Sequence, residues 1–143
     1  MYDRILVPTD GSEGAERAIK HALSLAEVHG ATVHGLYAVE PVYSTETGTA
    51  EAVAALEDAG ERAVASLAEA AEARNVAAVT EVRRGTPHQM ILDYAEEEGI
   101  DVIVMGTEGR TGLSRYLVGS VAEKVVRLSD VPVLTVRAEP AEE

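Results

Sequence analysis

The sequence predicts an α/β fold in which a five-stranded parallel sheet carries helices on both faces. Apolar segments of strand length alternate with longer stretches of helical periodicity, strand first and strand last. The core strand segments, such as IDVIVM at 100–105, are continuous apolar runs, as strands buried on both faces require. A chain of 143 residues is of ordinary single-domain size, so one domain is expected over 1–143, with 138–143 (AEPAEE) as an acidic tail.

Each element has its own local signal. DRILVPT (3–9) forms the first strand and stops at Asp10-Gly11-Ser12. Ser12 suits a helix N-cap, and Glu13 and Glu16 stand in the first turn, where the helix dipole favours acids. Ala15, Ala18, Ile19, Ala22, Leu25 and Ala26 then recur at helical spacing up to His29-Gly30. ATVHGLYAV (31–39) reads as the second strand and EPVYSTETGT (40–49) as a polar loop. The Ala- and Glu-rich stretch from about 50 to 74 is a long helix with Val53, Leu56, Ala63, Val64, Leu67 and Ala71 on one stripe. AAVTEVRRG (77–85) alternates as a strand, and Pro87 opens a helix with Met90, Ile91, Tyr94 and Ala95 on its face and Gly99 at its end. IDVIVM is the fourth strand, LVGSVAEKVVRLS (117–129) the fourth helix and VPVLTVR (131–137) the fifth strand.

Composition excludes several classes of function. There are 25 acidic and 12 basic residues, a net charge of −13, and no basic cluster longer than Arg83-Arg84, so nucleic acid is not an expected partner. The absence of Cys removes disulfides, thiolate metal sites and a Cys nucleophile. No apolar stretch approaches the roughly 20 residues of a membrane helix, and MYDRILVPTD lacks the pattern of a signal peptide, so a soluble cytoplasmic protein without membrane contact is expected. The acidic surface has two readings: general solubility, or adaptation to high salt, which scarce Lys and the lack of Phe and Trp also fit.

In a doubly wound parallel sheet, ligands sit beyond the carboxyl ends of strands where the winding reverses. Two such ends carry chemistry: Pro8-Thr9-Asp10 after the first strand, and GTEGRTGLSRYLVGS (106–120) after the fourth. In the second, Gly106, Gly109 and Gly112 allow backbone N–H groups to approach a ligand and permit positive φ, while Gly119-Ser120 lies in the expected first turn of the fourth helix. Exposed N–H groups at a helix N-terminus make a phosphate site. Thr107, Thr111, Ser114 and Ser120 add hydroxyls, and Arg110 and Arg115 add positive charge. Neither GxxxxGK[ST] nor GxGxxG after the first strand is present, so a Walker-type NTPase and an ordinary dinucleotide domain are not indicated. Asp10 is either a ligand or base at the mouth of the sheet or a turn residue; Ser12 is an N-cap rather than a nucleophile. His21, His29, His34 and His88 show no metal-ligand spacing.

The spacing Gly106-x2-Gly109-x9-Gly119-Ser120 resembles the ATP-binding signature of the universal stress protein family. ILVPTDGS resembles the family's opening strand and its Asp, RRGTPHQMIL its G-x-P-x3-I segment, and VPVLTVR its terminal strand. The resemblance implies a Rossmann-like sheet of the adenine nucleotide alpha hydrolase-like type and a homodimer through the last strand, 132–137. It further implies bound ATP or another adenine nucleotide, with Mg2+ as a possible companion. Carried onto this chain, it implies that Gly106, Gly109, Gly119 and Ser120 contact phosphates and ribose, with Val121 extending the backbone contact. It also implies that Pro8, Thr9 and Asp10 line the nucleotide, Asp10 near the ribose or a metal, and that Val39 packs on adenine. Met105, Thr107 and Arg110 complete the implied set. Glu108 departs from the pattern by placing an acid beside the phosphates. Three functions therefore stand: a nucleotide-dependent regulatory dimer, a slow ATPase or phosphotransferase to a hydroxyl such as Ser114 or Ser120, and a dimeric interaction protein without nucleotide, which Glu108 favours.

Overall fold

The computed structural model describes residues 2–40, 50–107 and 119–137. Within them the chain runs β1 (Arg4–Pro8), α1 (Glu13–His29), β2 (Thr32–Val39), α2 (Ala50–Ala73), β3 (Ala78–Arg84), α3 (Pro87–Glu97), β4 (Val102–Gly106), α4 (Ser120–Leu128) and β5 (Val133–Val136). The five strands form one parallel sheet in the order β3-β2-β1-β4-β5. The chain thus moves outward in one direction from β1 through β3, then crosses back to β4 and continues the other way.

Strand alternation divides the core between the two faces. Ile5, Val7, Val33, Val102 and Val104 pack under α1 and the C-terminal half of α2. Their neighbours Leu6, Leu36, Ile103 and Met105 pack against α3 and α4. This is the expected doubly covered parallel sheet. Two glycines set how closely α2 lies on β2. A β-carbon on Gly35 would come within 2.8 Å of Leu67 Cδ1, and one on Gly60 within 2.7 Å of Tyr37 Cδ1.

Caps fix the helix ends. The Ser12 hydroxyl accepts from Ala15 N at 3.3 Å to start α1, and Gly30, with φ of 67°, ends it. Pro87 begins α3, and Gly99 follows it with φ of 64°. The buried stripe of α1 contains Leu23 rather than the expected Leu25: residues 15, 18, 19, 22, 23 and 26 form the inward face, and Leu25 sits half-buried at its border. The fourth strand begins at Val102, two residues later than expected: the Ile100 amide still bonds back to Ala95 O of α3, and the Asp101 amide makes the first bond to β1, at Arg4 O. The Asp101 carboxylate then accepts from the Asp3 and Arg4 amides at 2.8 and 2.9 Å, which ties the entrances of β1 and β4 together. These two backbone bonds hold its carboxyl below the usual carboxylate range.

Candidate functional site at the carboxyl ends of β1 and β4

The ladder between β1 and β4 runs through Ile5–Val102 and Leu6–Ile103. Beyond it the two strands lead to helices on opposite faces, α1 and α4, and the gap that this divergence creates is the natural ligand position. The β1 side of the gap is a closely bonded turn. The Thr9 amide donates to Leu36 O at 2.9 Å, its hydroxyl accepts from Gly11 N at 3.2 Å, and Asp10 Oδ1 accepts from Ser12 N at 2.9 Å. Asp10 is therefore a turn residue, as one of its two readings requires. Its second oxygen, Oδ2, has no hydrogen-bond partner among the described residues. Pro8 is half-buried and pairs with Leu36 in the sheet.

The β4 side is joined to α4 by backbone. Gly119 is the N-cap of α4, with φ of −61° and ψ of 157°, and its amide donates to Thr107 O at 2.6 Å. Because Gly119 has no side chain, no side-chain cap hydrogen bond forms, whereas α1 at the same rim is capped by Ser12. Ser120, the first helical residue, is exposed. Gly119 thus precedes the first turn instead of lying within it. The Thr107 hydroxyl is buried and has no hydrogen-bond partner among the described residues.

Gly106 lies in the last position of β4 and lacks the positive φ expected of it; its missing side chain also admits the first turn of α1, since a β-carbon would stand 3.0 Å from Gly14 C and O. Met105 and Val121 turn their side chains into the core under α3 and α4, which leaves only their backbone available to a ligand at the rim. Val39 is 3% exposed in a cluster with Tyr37 and Val64 under α2, and its carbonyl accepts from Gly85 N at 2.9 Å. Gly109 and Arg110, together with Glu108, Thr111, Gly112, Ser114 and Arg115, lie outside the described residues.

No group of three or more His, Asp or Glu side chains suited to a metal occurs among the described residues. Among the same residues no helix is long and apolar enough to cross a membrane.

One polar cluster was not visible in the sequence. His34, on β2, shares a 2.7 Å hydrogen bond between Nδ1 and the Tyr94 hydroxyl, with their rings edge-on at 5.7 Å. The Arg83 guanidinium stacks over Tyr94 at 5.0 Å and pairs with Glu81 and Glu97. Burial lowers the His34 pKa; Glu98 opposes that shift and Arg4 adds to it. Burial, aided by Glu98 and Glu81, pushes Tyr94 up to about 12. Nearby, an open polar depression of about 500 Å³, lined in part by Arg4, His34 and Glu96 to Gly99, faces the amino ends of the strands, away from the β1–β4 rim. A pattern search could find the pair only after the β2 register places His34 toward α3.

Residues 1–137 match the universal stress protein family. The chain belongs to that family. Universal stress protein MJ0531 of Methanocaldococcus jannaschii is 38% identical over 141 residues, which span 96% of this chain and 83% of that protein. The solved structure of MJ0577, a universal stress protein of the same organism, matches this one with a TM-score of 0.87 at 33% identity, covering 99% of each chain. A universal stress protein solved in complex with cAMP matches with a TM-score of 0.76 at 25% identity, covering 96% of this chain and 99% of that one.

Proposed function

We propose that this universal stress protein binds an adenine nucleotide, ATP, in the gap between β1 and β4, and acts as a dimeric, nucleotide-dependent regulatory module. The observation that carries the proposal is the junction of Thr107 and Gly119: a helix N-terminus without a side-chain cap is bonded at 2.6 Å to the strand end where ligands of doubly wound sheets bind. Phosphates would lie against the amides of Ser120 and Val121 and the backbone of Gly106 and Gly109, with Arg110 supplying charge. The base and ribose would extend toward Pro8, Thr9, Asp10 and the end of β2 at Val39. Mg2+ would be held by the phosphates and Asp10 Oδ2, keeping most of its water, as is usual for this ion. Complex formation with cAMP by a protein of similar structure supports an adenine ligand.

The partner surface would be the β5 edge. Leu134 is 44% exposed there and Thr135 is exposed, while only Val136 of the strand is buried. A bare apolar edge is a template for pairing with a second copy. A slow ATPase is the second reading, favoured by the Asp10 oxygen that no described residue satisfies. The chain lacks the P-loop Lys pattern that fast phosphoryl transfer employs.

The test is to denature the purified protein and chromatograph the supernatant for adenine nucleotides, before and after incubation with ATP and Mg2+. Near one ATP per chain supports the regulatory reading, and ADP alone supports hydrolysis. No nucleotide in either sample refutes both.

A further inference from the structure

We propose that Met90 is an oxidation site: its thioether staples the turn between β3 and α3 to the rim of the sheet, and conversion to the sulfoxide releases that turn. The consequence for nucleotide, weaker binding, rests on the assignment of Val39 above; the site itself does not.

The turn runs Gly85-Thr86-Pro87, and its side-chain anchors are few. Thr86 is the N-cap of α3 and makes no side-chain cap hydrogen bond. Gly85, with φ of 152°, donates its amide to Val39 O at 2.9 Å and so ties the turn to the carboxyl end of β2. A hydrophobic residue before an N-cap often packs on the fourth helical residue and fixes the entry of the chain. Here the residue before the cap is Gly85 and the fourth helical residue is Met90, so the methionine supplies the side chain of that contact. A β-carbon on Gly85 would stand 2.7 Å from Met90 Sδ and 2.9 Å from Cε. The thioether therefore lies on the Gly85 backbone, in the space a side chain would take. Beyond it Ile91 and Tyr94 are buried, so loss of the staple frees the first turn of α3 and leaves the rest docked.

Peroxide is the co-reactant. A lone pair on Met90 Sδ attacks one peroxide oxygen, and the O–O bond breaks as the S–O bond forms. The hydroxide released takes the proton of the transferred hydroxyl and leaves as water. The sulfur is oxidised by two electrons and the peroxide is reduced by two. The product is a polar side chain in place of an apolar one. Its oxygen either turns to solvent or competes with Val39 O for the Gly85 amide, and both weaken the bond that fixes the end of β2. Met90 is half-buried, whereas Met105, the other thioether among the described residues, is 5% exposed in the core. The chain has no Cys, so none of its own thiols intercepts the oxidant.

The experiment treats the full chain with hydrogen peroxide and follows each methionine by peptide mass mapping. Exchange of the Gly85 amide, read by nuclear magnetic resonance, and ATP affinity are measured before oxidation, after it, and after repair. Repair uses the two methionine sulfoxide reductases, one per sulfoxide epimer, with dithiothreitol as reductant. Met90 is expected to oxidise before Met105. Gly85 exchange should then rise about tenfold. ATP should bind about fivefold more weakly, and repair should restore both. Met90→Leu conserves volume without a sulfur to oxidise, so it should keep wild-type exchange and ignore peroxide. Oxidation of Met90 no sooner than Met105, unchanged Gly85 exchange in the oxidised chain, or a Met90→Leu chain that responds to peroxide like wild type each overturns the inference. Undiminished ATP affinity with Gly85 released overturns the link to nucleotide. An untreated chain that binds no ATP refutes the nucleotide reading, and Gly85 exchange then decides the oxidation site alone.

Discussion

A β-carbon on Gly106 would stand 3.0 Å from the carbonyl carbon and oxygen of Gly14. The end of β4 therefore lies directly under the first turn of α1, and this contact sets the distance between the Asp10 turn and the Thr107 junction. Backbone atoms cannot swing aside as a flexible side chain would. Gly106→Ala should destabilise the fold by about 1–3 kcal/mol and weaken ATP binding by separating the two walls of the gap. Thermal denaturation and ATP titration check this; an unchanged melting temperature would mean that α1 shifts freely and that the contact does not set the site.

Asp10 has two oxygens with different duties, and the duties can be separated. Oδ1 accepts from the Ser12 amide at 2.9 Å, while Oδ2 faces no partner among the described residues. Asp10→Asn retains an acceptor for Ser12 N but loses the charge. It should melt within ~0.5 kcal/mol of wild type and lose the Mg2+ dependence of ATP affinity, whereas Asp10→Ala should lose about 1 kcal/mol as well. Calorimetry with and without Mg2+ decides; an Asn variant with undiminished Mg2+ dependence removes Asp10 from the metal.

Net charge supplies a prediction about salt. The chain carries −13, and the ion pairs Arg74–Glu27, Arg84–Glu57 and Arg127–Glu123 are surface pairs of small individual weight. The net charge leaves a large acidic excess beyond these pairs, and raising salt from 0.1 to 1 M shortens the Debye length from about 10 to about 3 Å. The melting temperature should rise by about 5 °C or more in molar KCl, as self-repulsion is screened. A flat or falling curve would discard high-salt adaptation and leave solubility as the meaning of the acidic surface.

Much of the frame was legible because its causes are local. Hydrophobic period separated strands from helices, and Ser12, Gly30, Pro87 and Gly99 marked ends that the structure places within a residue or two. What escaped depends on distant partners. That Gly106 also makes room for Gly14 of α1 has no sequence signal until the two are brought together. Leu23 and Leu25 are equivalent in composition, and only the position of the sheet chooses Leu23 for the core. The close seat of α2 on Gly35 and Gly60 likewise has no sequence signal until β2 and α2 are brought together.

The His34–Tyr94 pair was the least legible feature, and it gives the protein a window of pH stability. His34 is 6% exposed and its pKa is lowered from the ordinary 6.5, chiefly by burial. The unfolded chain therefore takes up that proton first as pH falls, so the contribution of neutral His34 is complete above about 6.5 and is lost as pH drops through the lower folded value. Tyr94 works in the opposite direction: its folded pKa of about 12 exceeds the ordinary 10.0, so its contribution is lost as pH rises above 10. His34→Gln, which can still meet the Tyr94 hydroxyl but does not titrate, should flatten the decline in stability just below pH 6.5. Tyr94→Phe strands the buried ring nitrogen and should cost about 1–3 kcal/mol at neutral pH. Urea unfolding from pH 4 to 8 on the three proteins checks both effects. A His34→Gln profile parallel to wild type would remove His34 from the acid decline; the contribution of Asp101, whose pKa is lowered from the ordinary 3.8, is lost only below the range measured.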